Sequence, residues 1–176
     1  DLAARRRRFV LATDMAAHRS RVTAAGIEHA GAGSHRTGDV FERMYAPPLQ
    51  MLLLGSGPGL VAVASLAETL GIALKIVAPD TATRAALGLI GKRALIDEAA
   101  FPETLAGLDS ATAAILVFHD HDREIDYLAA LLETDSFYIG ALGNHAVHRE
   151  RRAALAARGL SETSLDRIRA PIGSIP

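Results

Sequence analysis

Residues 52–60 read LLLGSGPGL, and the fold is decided there. Three consecutive leucines without polar alternation suit a strand covered on both faces, because a half-exposed strand would alternate. The glycines that follow permit a tight turn, and "LVAVASLAETLG" then carries a helical pattern as far as Gly71, a residue placed for a left-handed helix end. Strand, glycine turn and helix in that order form the opening unit of a parallel sheet with crossover helices.

The same alternation runs on to the C-terminus. Further strand candidates are "ALKIVA", "ALI", "AAILVF" and "FYIGAL", and the intervening helical runs are "TATRAALGLIG", "PETLAGL", "DREIDYLAALLE" and "HAVHRERRAALAARG". Residues 49–176 are therefore expected to form an α/β domain with a doubly wound, mainly parallel, Rossmann-like sheet. Pro102 fits a first helical turn, Gly159 a helix end, and Thr163–Asp166 ("TSLD") a capping box for a last short helix.

Residues 1–48 differ. "FVLATDM", "RSRVTAAG" and "DVFERMYA" read as short strands and "GAGSHRTGD" as a loop. This β-rich N-terminal segment, or remnant of a preceding domain, is expected to pair with the main sheet or with another copy, because isolated short strands are marginal. The chain starts at Asp1 and stops at Pro176, and is read as a fragment.

Composition narrows the function classes. The 176 residues are 49% hydrophobic but 5% aromatic, with a net charge of -1. An aliphatic core follows, and no bulk field recruits nucleic acid. The absence of cysteine excludes disulfides, thiolate metal sites and a cysteine nucleophile within this chain. "RRRRFVLATDMAA" has too short an apolar part for a secretory signal and is broken by Asp14; with no apolar stretch of membrane-spanning length, the expected location is cytoplasmic, without a membrane partner. The arginines at 5–8 and at 149, 151 and 152 read as solvated faces.

Gly55, Ser56, Gly57 and Gly59 occupy the position where a dinucleotide-type fold holds phosphate. Unpaired N–H groups and the positive helix end favour an anion there by about 0.3–1 kcal/mol from the dipole alone. A merely tight turn is the competing reading, since the third glycine of G-x-G-x-x-G is Leu60. Asp80, after the next strand, is either the ribose-binding acid or a cap for the following helix.

The fourth strand runs into "FHDHD", residues 118–122. A metal site, a helix cap and a crevice rim are all chemically open to this pattern. Period-two alternation is lost at a strand-to-helix turn, and no third ligand stands at recognisable spacing, so no metal ligand is assigned. Asp120 or Asp122 is expected to cap a helix starting near Arg123. At the end of the fifth strand come Gly140, Gly143, Asn144, His145 and His148, the last equally suited to a helix surface. Carboxyl ends of neighbouring strands meet at the switch point of a doubly wound sheet, so His119, Asp120, His121, Gly140, Gly143 and Asn144 are expected to face the glycine turn across one polar crevice.

"PPLQMLLLGSGPG", the HDH element, "FYIGALG" with its basic helix, and the closing "GLSETSLDRIRAPIG" together resemble the C-terminal Rossmann domain of the XdhC/CoxI family, over about Val40 to Pro176. These are accessory proteins of xanthine dehydrogenase and related molybdenum hydroxylases. The resemblance implies a cytoplasmic chaperone that binds molybdenum cofactor, as molybdopterin or its dinucleotide form, and assists its sulfuration and insertion without itself turning over a substrate. It also implies two partners, a molybdenum hydroxylase apo-enzyme and a sulfur-donating cysteine desulfurase. No catalytic residue is then assigned, and the cofactor would be held by Gly55, Ser56, Gly57, Gly59, Asp80, His119, Asp120, His121, Gly140, Gly143 and Asn144. The chain departs from the family at Pro58, at Ala78-Pro79-Asp80, at Asn144-His145-Ala146 and in lacking the cysteine-containing N-terminal motif. Two other readings stay open: an NAD(P)-binding oxidoreductase with His119 or His121 as proton donor, and an interaction module that self-associates as a homo-oligomer.

Overall fold

The computed structural model describes residues 6–24, 33–88, 94–118 and 121–173. The chain divides into two compact units, Asp1–Pro48 and Leu49–Pro176.

In the first unit, β1 (Phe9–Asp14), β2 (Arg19–Ala24), β3 (Ser34–Thr37) and β4 (Val40–Tyr45) form an antiparallel sheet in the order β2-β1-β4-β3. The expectation that these strands join the main sheet is thereby corrected: they make a four-stranded sheet of their own. Part of the expected "GAGSHRTGD" loop is also strand. Gly38, at φ +59°, closes a two-residue turn, so that Thr37 pairs with Val40 and Ser34 with Arg43. Phe9 stands opposite Tyr45 with ring centroids 5.0 Å apart, a cross-strand contact that helps fix the register.

The second unit comprises β5 (Gln50–Gly55), α1 (Gly57–Thr69), β6 (Ala73–Val77), α2 (Thr81–Gly88), β7 (Ala94–Ile96), α3 (Phe101–Ala106), β8 (Thr112–Val117), α4 (His121–Leu132), β9 (Tyr138–Ala141), α5 (His145–Ala157), α6 (Glu162–Leu165) and β10 (Ile168–Arg169). Its six strands are parallel, in the order β10-β9-β8-β5-β6-β7. The chain builds outward from β5 in one direction and from β8 in the other. That is the doubly wound arrangement, with its switch point between those two strands.

The leucine run explains why β5 is central. Leu52 and Leu54 enter one core layer with Leu116, Leu128, Leu131 and Leu155, while Leu53 enters the other with Leu60, Ala64, Ile76 and Leu87. Alternate side chains point to opposite faces, and each face is roofed by helices: α1 and α2 on one side, α4 and α5 on the other. Leu60 is fully buried in the second layer, so the residue in place of a third glycine is a packing residue between helix and sheet.

Gly71 and Gly159 have φ of +69° and +88° just past α1 and α5, and Pro102 lies in the first turn of α3. The last short helix begins earlier than expected. Ser161, not Thr163, caps α6, its hydroxyl accepting from the Ser164 N–H at 3.2 Å. Among the described residues no helix is long and apolar enough to cross a membrane.

Candidate functional site: a crevice at the switch point

The carboxyl ends of β5, β8 and β9 lie side by side. Gly55 pairs with Val117 and Leu116 with Ala141. Just beyond, the Ser56 N–H donates to the Val117 carbonyl at 3.0 Å, and the Leu142 N–H to the Leu116 carbonyl at 2.9 Å. With neighbouring strands about 4.8 Å apart, the β5–α1 turn and the β9–α5 turn flank the end of β8. His119 and Asp120 lie outside the described residues. His121 is the first residue of α4, which starts two positions before the expected Arg123 and so takes Asp122 into the helix.

Gly55 has φ +144°, and a Cβ there would fall 1.9 Å from the Val117 carbonyl oxygen. Only glycine lets β5 turn into α1 while staying hydrogen-bonded to β8. The turn's donors are largely engaged within the protein. A helix start leaves its first four N–H groups without intrahelical partners. Here Ser56 donates to Val117, Gly57 donates to the Thr83 hydroxyl at 2.8 Å, and Pro58 has no N–H. Gly59 supplies the remaining first-turn N–H.

Asp80 takes the capping role: its Oδ1 accepts from the Thr83 N–H at 2.7 Å. The Thr83 side chain, and then the Thr83 N–H, hold the Asp80 carboxyl below its ordinary value. The Thr83 hydroxyl thus joins the start of α1 to the start of α2. Asp80 Oδ2 is shielded from solvent and has no hydrogen-bond partner among the described residues.

The other rim is built differently. Asn144 caps α5, its Oδ1 accepting from the N–H groups of Ala146 at 2.9 Å and Val147 at 3.0 Å. Gly143 and Asn144 are exposed. Gly140 does not join them: it is a buried residue inside β9, and a Cβ would meet the Tyr138 ring at 2.5 Å. It packs the strand and does not line the rim. His148 is half-buried one turn into α5; burial, with Arg151, Arg152 and His145 nearby, pushes its pKa below the ordinary value.

One expectation is overturned on this helix. Arg151 does not lie on a solvated face but is buried, together with Glu124 of α4. Its Nε and Nη2 donate to Glu124 Oε2 at 3.2 and 2.8 Å, and Nη2 also donates to the Leu142 carbonyl at 2.9 Å. The reason is helical phase: Arg151 precedes the core residue Leu155 by one turn, as Glu124 precedes Leu128. Arg152, by contrast, is a partly exposed partner of Glu162 and Asp166. An acid and a base each in phase with the apolar stripe of neighbouring helices was the signal that could have found the buried pair.

Among the described residues no group of three histidines, aspartates or glutamates is placed to hold a metal ion. The strand ends instead bring together the positive start of α1 and the exposed Gly143–Asn144 turn, chemistry suited to a small anionic or hydrogen-bonding ligand.

Comparison with known proteins bears on the fold and the family. A solved structure from Bacillus halodurans, described as a xanthine dehydrogenase, superposes with a TM-score of 0.63 at 14% identity, covering 99% of this chain and 55% of that one; at that identity the likeness speaks for the fold alone. The molybdenum cofactor insertion chaperone PaoD of Escherichia coli (strain K12) is 42% identical over 71 residues, which are 40% of this chain and 22% of PaoD. The chain thus matches about a fifth of its curated relative's length. The model of the XdhC Rossmann domain matches residues 51–175, nearly all of the second unit, and the chain belongs to that family.

Proposed function

We propose that this chain is the cofactor-handling part of an accessory protein that binds molybdenum cofactor and assists its sulfuration and insertion into a xanthine dehydrogenase-type hydroxylase. The observation that supports the reading is the juxtaposition of the β5–α1 and β9–α5 turns beside the end of β8, in a chain sharing 42% identity over 71 residues with a molybdenum cofactor insertion chaperone. The residues fit such a guest. The pterin's phosphate would lie at the start of α1, held by the helix dipole and the Gly59 N–H, while the Asn144 amide and the His119–His121 segment approach the pterin. With few donors committed to the ligand, binding is of moderate strength, which suits a protein that must release its cargo: about 1 μM corresponds to -8.2 kcal/mol. The hydroxylase apo-enzyme would receive the cofactor, a cysteine desulfurase would supply sulfur, and the cytoplasm would house the exchange.

The NAD(P)-dependent oxidoreductase reading fits these contacts less well. A pyrophosphate needs several loop amides, and a ribose needs a free acid at the end of the second strand. Ser56 and Gly57 already donate within the protein, and Asp80 caps α2. The test is anaerobic gel filtration of the full-length protein with molybdenum cofactor released from a purified hydroxylase, beside calorimetric titration with NAD and NADP. Co-elution of the pterin without heat from either nucleotide supports the reading; tight nucleotide binding without co-elution overturns it.

A further inference from the structure

Arg151 and Glu124 present a physical puzzle. Their side chains are 2% and 0% exposed, and removing two charges from water costs several kcal/mol per ion, so that a well-packed apolar pair of similar volume often serves the fold as well or better. The pair is not fully satisfied either. Arg151 Nη1 is shut off from solvent and has no hydrogen-bond partner among the described residues, which adds a further penalty. Stability alone is therefore a poor explanation for charge at this place.

Geometry supplies a better one. The guanidinium is a planar fork with donors in fixed directions, so it holds two acceptors at a set angle, which no apolar side chain does. One acceptor is Glu124 Oε2, within the first turn of α4, the helix that begins at His121. The other is the carbonyl of Leu142, the first residue past β9 and the entry to the Gly143–Asn144 turn. The parallel ladder joins β8 to β9 only as far as Leu142, so beyond the strand ends this fork adds a hydrogen-bonded connection to the packing of α4 on α5. The fork lies directly behind Gly143: a Cβ there would stand in ordinary contact with Arg151 Nη2 at 3.5 Å and crowd Val147 Cγ1 at 3.1 Å.

We infer that Arg151 is a positioning residue for the strand ends: by holding Glu124 of α4 and the Leu142 carbonyl together, it fixes the start of α4 relative to the Gly143–Asn144 turn. It touches no ligand itself; it sets the spacing of groups that do. Its relevance to cofactor binding rests on the function proposed above, whereas its effect on the two turns does not.

The test uses the full-length protein and an apolar swap, Arg151→Met with Glu124→Met, which retains volume and removes the fork. Amide hydrogen exchange in the free protein is read at residues 142–147 and 121–125, with β5 as internal reference. The expected result is a thermal midpoint close to wild type, exchange at least ten-fold faster in both turns, and unchanged β5. Arg151→Lys, which retains charge but lacks the planar fork, is the second variant should the swap not fold, and is expected to loosen the same turns. Unchanged exchange in both turns, in whichever variant folds, overturns the inference. Where wild type binds molybdenum cofactor, the folded variant should bind at least ten-fold more weakly, and equal affinity overturns the positioning role. A wild type that binds no cofactor refutes the proposed function, while the exchange rates still decide whether Arg151 ties the turns.

Discussion

The two rims of the crevice solve the same problem with different chemistry. On the β5–β6 side, backbone and hydroxyl hydrogen bonds link Ser56 to Val117 and Gly57 through Thr83 to the Asp80 carboxylate, and a glycine is forced by a backbone contact at 1.9 Å. On the β8–β9 side, a buried ion pair stands behind an exposed Gly143–Asn144 turn. The lesson is a division of labour. A rim whose donors bond one another is a stiff wall with little left for a ligand, whereas a rim held from behind can present free groups on its outer side.

The largest effect should come from breaking the charged rim. Arg151→Met alone leaves Glu124 buried beside an apolar group, and chemical denaturation should show a loss of about 3–5 kcal/mol. If the loss is below about 1 kcal/mol, the pair behaves as a surface pair and the contrast between the rims collapses. Gly55→Ala comes next, on the β5–β6 rim. The positive φ and the Val117 oxygen leave no room for a Cβ, so a loss of about 3 kcal/mol is expected by the same measurement. Gly143→Ala shares the strain of a positive φ, at +146°, but its Cβ would meet side chains (Val147 Cγ1 at 3.1 Å, Arg151 Nη2 at 3.5 Å) instead of a backbone oxygen at 1.9 Å, and should cost less than Gly55→Ala; equal losses at 55 and 143 would erase the difference.

A smaller effect is expected from Thr83→Val, which removes the acceptor of the Gly57 N–H and a donor to Asp80. Loss of that hydroxyl should lower the unfolding free energy by about 1–3 kcal/mol, because a part-buried N–H is left unmatched, and amide exchange at Gly57 should quicken.

The smallest effect is the pH response of His148. Its folded pKa lies below the ordinary 6.5, through burial first and neighbouring cations second, so the unfolded chain takes up the proton more readily. The stability it contributes is therefore whole above its unfolded pKa and is lost as pH falls through the folded value. Denaturation midpoints measured across that window should decline for wild type and decline less for His148→Gln; identical slopes would place the histidine in a water-like setting.

Much of this was legible because burial on both faces leaves a mark in sequence. Leu52, Leu53 and Leu54 read as a continuous apolar run and feed both core layers, and the alternation that follows points to a doubly wound parallel sheet. Asp80 was only half legible: its offset from the next helical run allowed a cap as well as a ribose-binding acid, and its bond to the Thr83 N–H shows the cap. Arg151 was not, since a basic helix reads as solvated unless the phase of its residues is compared with that of an acid 27 positions away on another helix. Strand β3 was missed because "GAGSHRTGD" is polar throughout, and its pairing depends on the Gly38 turn rather than on apolar periodicity. Gly140 looked like a rim glycine because strand ends are blurred by a residue or two; its close approach to Tyr138 places it inside the sheet.

The claim on which the rest depends is that one ligand occupies the space beyond the carboxyl ends of β5 and β8. Crystals of the full-length protein grown anaerobically with molybdenum cofactor test it directly. The account predicts pterin density between the β5–α1 and β9–α5 turns, with its phosphate toward the start of α1. Ordered cofactor bound elsewhere, with that crevice clear, would contradict it.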